Sequence, residues 1–173
     1  TSSVALDEIH IEEFMKITGY VVRANNKVVP VRETIHNSNR FLFSFYLDAT
    51  IPANSPISLI MNYVVKLTTA TEGLYLGHYE DEKTKETLYL LSTQFESTHA
   101  RECFPCFDEP SMKAQYKFSI EFDKGVRQDY TAIYNMDIEK SIELGNNRQK
   151  NIYYNSMPMA TYLNAILVSP FNT

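Results

Sequence analysis

The residues best suited to bind a charged group are two polar side chains at the end of an apolar run. Residues 88–96 read Leu-Tyr-Leu-Leu-Ser-Thr-Gln-Phe-Glu. Because side chains alternate along an extended strand, Gln94 and Glu96 should point to one side and Phe95 to the other. A carboxylate beside an amide can hold a cationic group through charge-assisted hydrogen bonds. Strand ends also carry polar residues that bind nothing, so the pattern leaves both interpretations open.

A second group of candidates lies in the segment 97–112, where the apolar alternation stops and charged residues and prolines accumulate. Asp108 and Glu109 precede Pro110 and could form a carboxylate pair for acid–base catalysis. Such a pair more often anchors a loop by accepting backbone N–H groups or an arginine, for which Arg101 is a candidate. We therefore predict an ordered loop in which Arg101, Asp108, Glu109 and Pro110 have structural roles.

Metal and thiol chemistry have weaker support in the sequence. Cys103 and Cys106 have the C-x-x-C spacing, but no other cysteine exists to complete a zinc site. A redox pair would need a βαβ setting, which the surrounding pattern does not offer. No His-Glu-x-x-His sequence is present, and the four histidines lack metal-ligand spacing. We predict two buried or half-buried thiols and no zinc site in this chain.

The composition excludes several functional classes. The formal net charge is -5 and no run of Lys or Arg occurs, which argues against a nucleic-acid partner. No stretch approaches the roughly 20 apolar residues of a transmembrane helix. The sequence has only two cysteines and no N-glycosylation sequon, which favours a cytoplasmic location.

The elements that position these residues read as β-strands. In residues 116–122, Tyr116, Phe118, Ile120 and Phe122 alternate with polar side chains, as in an antiparallel sheet with one dry face. Similar patterns, separated by Asn-, Pro- and Gly-containing turns, predict a curved antiparallel β-sandwich in a single domain spanning residues 1–173. The other predicted strands are 9–11, 16–23, 28–31, 40–47, 57–67, 87–95, 130–134, 152–155 and 162–168, and one helical turn is expected around residues 100–103.

The segment 93–110 resembles a known family signature. It reads TQFESTHARECFPCFDEP, against TQFEPTDARRAFPCFDEP in the N-terminal domain of aminopeptidase N type zinc metallopeptidases. Lys113-Ala114 followed by residues 116–118 is similar to the family's KATF strand. Further along, residues 134–136 resemble SNM, and residues 158–165 resemble PMSTYLLA. The sequence is therefore identified as a divergent member of this family, with Ser97 in place of the usual Pro and His99 in place of the usual Asp.

The resemblance implies a saddle-shaped, non-catalytic domain that docks on a thermolysin-like catalytic domain. Glu96 would then bind the free α-ammonium group of a peptide substrate, and Gln94 would line the pocket for its first side chain. The zinc ion would be held by the enzyme's own catalytic domain, with its HExxH helix, expected beyond Thr173. The first strands of the family domain are likewise expected to precede this sequence. This chain alone should therefore have no peptidase activity.

An alternative from another functional class stays open at this stage. The chain could be an interaction module, either free-standing or part of a scaffold, that has the aminopeptidase β-fold without peptidase activity. The presence of both Gln94 and Glu96 counts against a scaffold, because a scaffold needs no amine-binding pair.

Overall fold

The architecture is all β, as the sequence predicts. A computed structural model describes residues 8–12, 15–125 and 130–171 of the chain. Within these residues it contains 13 strands, arranged in four antiparallel sheets, and three 3-10 helices of three residues each. The chain divides into two compact units, Thr1–Lys66 with Arg101–Phe107 and Leu67–Ala100 with Asp108–Thr173. The single-domain organisation expected from the sequence stays a prediction.

The first unit contains two three-stranded sheets with the orders β1-β5-β4 and β3-β2-β6. Its strands are β1 (Glu8–His10), β2 (Met15–Ala24), β3 (Lys27–Val29), β4 (Val31–Asn37), β5 (Leu42–Leu47) and β6 (Ile57–Val65). Alternating apolar residues from these strands form a core in which Ile11 is fully buried and Phe45 is 3% exposed. Burying such side chains contributes roughly 1.5–3 kcal/mol each.

The second unit contains a four-stranded sheet of order β10-β13-β8-β7 and a three-stranded sheet of order β11-β12-β9. Its strands are β7 (Gly73–Glu80), β8 (Thr87–Gln94), β9 (Ser119–Asp123), β10 (Thr131–Tyr134), β11 (Ile138–Gly145), β12 (Arg148–Tyr153) and β13 (Ile166–Ser169). Tyr153 is 1% exposed and its ring packs against that of Tyr134. The Tyr153 hydroxyl donates to the carbonyl of Ala132 at 2.6 Å, which satisfies the buried phenol.

Most predicted strands are confirmed, with shifted bounds for the strands predicted over 116–122 and 152–155, because β9 begins only at Ser119 and β12 runs from Arg148 to Tyr153. Three segments differ more, for physical reasons. The prediction placed no strand over β7 or β11. It placed a single strand over 28–31, whereas β3 ends at Val29 and a separate strand, β4, runs from Val31 to Asn37. β11 is exposed along almost its whole length, so it lacks the alternation that marks a half-buried strand. β7 contains Gly73 and Gly77, which lower strand propensity, and it is held by pairing along its full length with β8.

A fourth difference lies before the last strand. The sequence predicts a strand over residues 162–168, whereas Thr161–Leu163 forms a 3-10 helix and β13 begins only at Ile166. Side-chain hydrogen bonds from Asn135 and Asn164 hold the intervening backbone, and such local competitors of the sheet ladder are common for Asn. The predicted helical turn near residue 100 is confirmed as the 3-10 helix Ala100–Glu102.

Candidate functional site

Gln94 and Glu96 lie at the end of β8, an inner strand of the four-stranded sheet. Gln94 is the last residue of the strand and pairs with Gly73 of β7. Both Gln94 and Glu96 are exposed, while Phe95 between them is only 1% exposed. The predicted alternation is therefore confirmed: two polar side chains face solvent on either side of a buried aromatic ring.

The side chains of this pair are free to take a ligand. Across residues 8–12, 15–125 and 130–171, neither the Glu96 carboxylate nor the Gln94 amide makes a hydrogen bond or an ion pair with another side chain or with the backbone. The backbone beside them is fixed, since the N–H of His99 donates to the carbonyl of Phe95 at 3.0 Å. An unpaired carboxylate on a fixed strand end can accept a cation without first breaking an internal contact.

The loop that follows is anchored through a buried carboxylate. Asp108 is 1% exposed, and its Oδ1 accepts a hydrogen bond of 2.6 Å from the hydroxyl of Thr161. Asn164 donates in turn to the carbonyl of Thr161, and its Oδ1 accepts from the hydroxyl of Tyr134 at 2.8 Å. Because a buried carboxylate must be well hydrogen-bonded, this network supports the structural role predicted for Asp108.

The other three predicted loop residues occupy different surroundings. Glu109 is exposed, and its carbonyl accepts from the N–H of Met112 at 2.9 Å, which closes a turn around the exposed Pro110. Arg101 is half-buried in the first unit, where its guanidinium carbon lies 6.0 Å from the centroid of the Phe41 ring. This distance is at the outer limit of a cation–π contact.

Neither cysteine forms a disulfide, and the prediction of two buried or half-buried thiols is confirmed. Cys103 is buried and Cys106 is half-buried. Burial raises the pKa of the Cys103 thiol to about 12. Since the thiolate is the nucleophilic form, Cys103 is a poor nucleophile near neutral pH.

Metal chemistry has no candidate site in the described part of the chain. No group of three or more His, Cys, Asp and Glu residues there is arranged to hold a metal ion. Within the same residues, no helix is long and apolar enough to cross a membrane.

Several residues that shape the site were not singled out from the sequence. Thr93, Asn135 and Asn164 make side-chain hydrogen bonds to the backbone of the segment that leads into β13, and Thr161 of that segment donates to Asp108. The only available signal was their position inside the motifs that resemble the family, because Thr and Asn are otherwise ordinary residues for strands and turns.

Comparison with known proteins places the chain in one family. The profile described as the Peptidase M1 N-terminal domain matches residues 1–163. Aminopeptidase A of Gloydius brevicauda is 44% identical over 114 residues, which cover 65% of this chain and 11% of that protein. Glutamyl aminopeptidase of Rattus norvegicus is 30% identical over 153 residues, or 87% of this chain and 16% of that protein.

A third relative, puromycin-sensitive aminopeptidase of Caenorhabditis elegans, is 32% identical over 137 residues, 79% of this chain and 14% of its own length. The chain thus spans only a small part of the curated relatives it matches. Because the family profile covers nearly the whole sequence, the chain belongs to the Peptidase M1 N-terminal domain family.

Proposed function

We propose that this chain is the amine-recognition part of a zinc aminopeptidase, in which Glu96 binds the free α-ammonium group of a peptide and Gln94 contacts its first residue. The observation that supports this most directly is the exposed, unpaired carboxylate of Glu96 at a strand end whose backbone is fixed. The aminopeptidase names of the relatives supply the class of substrate. The partners are then peptides with a free N-terminus and the enzyme's own catalytic domain.

The magnitude of the interaction depends on how much water surrounds it. An exposed carboxylate–ammonium pair contributes only about 0–1 kcal/mol. When a bound peptide and a neighbouring domain exclude water, the effective dielectric constant falls and the same pair becomes several-fold stronger. An N-acylated peptide carries no charge there and would leave the carboxylate desolvated and unpaired. The site would therefore select peptides with a free amine.

Holding the ammonium group also sets the position of the first peptide bond. A fixed distance between the amine site and the reacting centre restricts cleavage to the N-terminal residue. The described residues do not fit a zinc ion, because they hold no group of three metal ligands. We therefore assign zinc binding and peptide hydrolysis to a catalytic domain outside this chain. The cytoplasmic location stays a prediction.

The test is to replace Glu96 with Ala and with Gln in the complete enzyme and to measure KM and kcat/KM with an aminoacyl fluorogenic substrate. A hydrogen bond to a charged group contributes about 1.5–3 kcal/mol, so kcat/KM should fall about 10- to 100-fold and KM should rise. Glu82→Gln is the matched control, because Glu82 is an exposed acid at the far end of the β7–β8 hairpin. Parent-like kinetics in both Glu96 variants would contradict the proposal and favour the scaffold alternative.

A further inference from the structure

The hydrogen-bond ladder between β8 and β13 stops one residue short of the amine-binding pair. Ser92 pairs with Leu167 and Leu91 with Val168, and the ladder ends there. At the next position the side-chain hydroxyl of Thr93, in place of its backbone, makes the hydrogen bonds to the backbone of Ile166. Thr93 Oγ1 accepts from the N–H of Ile166 at 2.9 Å and lies 3.4 Å from the Ile166 carbonyl, to which it donates.

The backbone segment that pairs with Thr93 is itself held by Asn135, the residue that directly follows β10. Asn135 Oδ1 accepts from the N–H of Ala165 at 2.7 Å, and its Nδ2 donates to the carbonyl of Leu163 at 2.9 Å. The buried pair of Tyr134 and Asn164 holds the same segment through a hydrogen bond of 2.8 Å. The backbone from Leu163 to Ile166 is therefore fixed before it meets Thr93, so the hydroxyl contacts a rigid partner.

Strand alternation connects this contact to the proposed site. Thr93 and Phe95 point to the inner side of β8, where one is half-buried and the other is 1% exposed. Gln94, between Thr93 and Phe95, and Glu96, after Phe95, point to the opposite, solvent-exposed side. With residues 93 and 95 both held on the inner side, the backbone of Gln94 and Glu96 has little freedom left, and only their side chains need to be ordered by a ligand.

We propose that Thr93 is a positioning residue for amine recognition: its hydroxyl, paired with Ile166, fixes the strand end so that Gln94 and Glu96 are pre-organised for the ammonium group. This inference rests on the proposed function of Glu96. Pre-organisation raises affinity by lowering the ordering cost at the moment of binding. Loss of the hydroxyl should therefore weaken substrate binding more than it slows the chemical step.

The experiment compares Thr93→Val, which keeps the shape and removes the hydroxyl, with Thr93→Ser, which keeps the hydroxyl, in the complete enzyme. For an aminoacyl substrate, Thr93→Val should raise KM roughly fivefold to tenfold and leave kcat within about threefold of the parent. Thr93→Ser should stay within about twofold of the parent in both constants. Thr87→Val is the matched control, because it makes the same change at the exposed opposite end of β8.

A double-mutant cycle with Glu96→Gln separates positioning from general loosening of the fold. If Thr93 acts through Glu96, Thr93→Val should raise KM less than about twofold once Glu96 has been replaced. Equal effects in both backgrounds, or a Thr93→Ser variant as weak as Thr93→Val, would overturn the inference. Thermal melting of each variant shows whether a KM change follows lost stability, in which case the inference is also wrong.

The same cycle distinguishes the two possible failures. If Glu96→Gln alone leaves KM and kcat/KM unchanged, the proposed function itself is wrong, and the inference about Thr93 falls with it. If Glu96→Gln weakens binding but Thr93→Val does not, the proposed function stands and only the positioning role of Thr93 is rejected.

Discussion

The two ends of the β7–β8 hairpin carry acidic residues that are used in opposite ways. At the tip, Asp81 accepts hydrogen bonds from the N–H groups of Lys83 and Thr84 at 2.9 and 2.8 Å. Glu80, next to it, forms an ion pair of 3.3 Å with Lys85. At the other end, Glu96 has no such partner among the residues that the structure describes.

The difference shows how an acid that shapes a turn can be told from one that is available to a ligand. The tip acids use their oxygen atoms to close a short connection, and backbone conformation depends on them. At the end that carries Gln94 and Glu96, here called the site end, the backbone conformation depends instead on the buried Phe95 ring and on the Thr93 hydroxyl. This division leaves the Glu96 carboxylate free, which is the condition for binding an ammonium group.

The largest expected effect is a loss of stability when Phe95, the buried residue that anchors the site end, is replaced. Phe95→Ala should lower the free energy of unfolding by about 3–5 kcal/mol, because it removes a fully buried aromatic ring and leaves a cavity. The matched control is Tyr89→Ala on the same strand, because Tyr89 is 51% exposed and a loss below about 1 kcal/mol is expected there. Urea unfolding followed by circular dichroism measures both. Similar losses in the two variants would mean that Phe95 does not anchor the strand end.

At the tip, the expected effect depends on pH. Hydrogen bonds from the N–H groups of Thr84 and Lys83 hold the pKa of the Asp81 carboxyl below its ordinary value. A lowered folded-state pKa stabilises the fold above the ordinary value of about 3.9, and this contribution is lost as the pH falls through the lowered pKa. Asp81→Asn should therefore reduce the loss of stability between pH 6 and pH 3. Unfolding free energies that fall equally in parent and variant would refute this role.

The smallest expected effect on stability is at Glu96 itself. Because its side chain is exposed and unpaired within the described residues, Glu96→Gln should change the free energy of unfolding by less than about 0.5 kcal/mol. Glu80→Gln, which breaks the ion pair with Lys85, provides the comparison at the tip. A clear destabilisation by Glu96→Gln would show that Glu96 has a structural partner and would weaken the contrast between the two ends.

The sequence predicted the parts of the site that depend on local chemistry. Strand alternation was enough to place Gln94 and Glu96 on one side and Phe95 on the other, because the period of two is a property of any extended chain. The prediction that Asp108 anchors the loop rested on the ordinary behaviour of a carboxylate beside a proline-containing loop. Its hydrogen-bond partner Thr161, 53 residues away, could not be found in this way, because local patterns carry no information on distant contacts.

The same limit applies to the strands and residues that were missed. β11 is exposed on both faces, so burial imposes no period on its sequence. Thr93 looks like an ordinary strand residue, since β-branched side chains are common in sheets. Its special position, one residue beyond the end of the β8–β13 ladder, is a property of strand pairing and is visible only in three dimensions.

The most direct test of amine recognition by Glu96 compares two inhibitors of the complete enzyme. One carries a free α-ammonium group, and the other is the same molecule with hydrogen in its place. The parent enzyme should bind the first at least about tenfold more tightly, as expected for one charge-assisted hydrogen bond. Glu96→Gln should lose most of that preference and bind the second inhibitor as the parent does. An unchanged preference in Glu96→Gln would show that another group binds the amine.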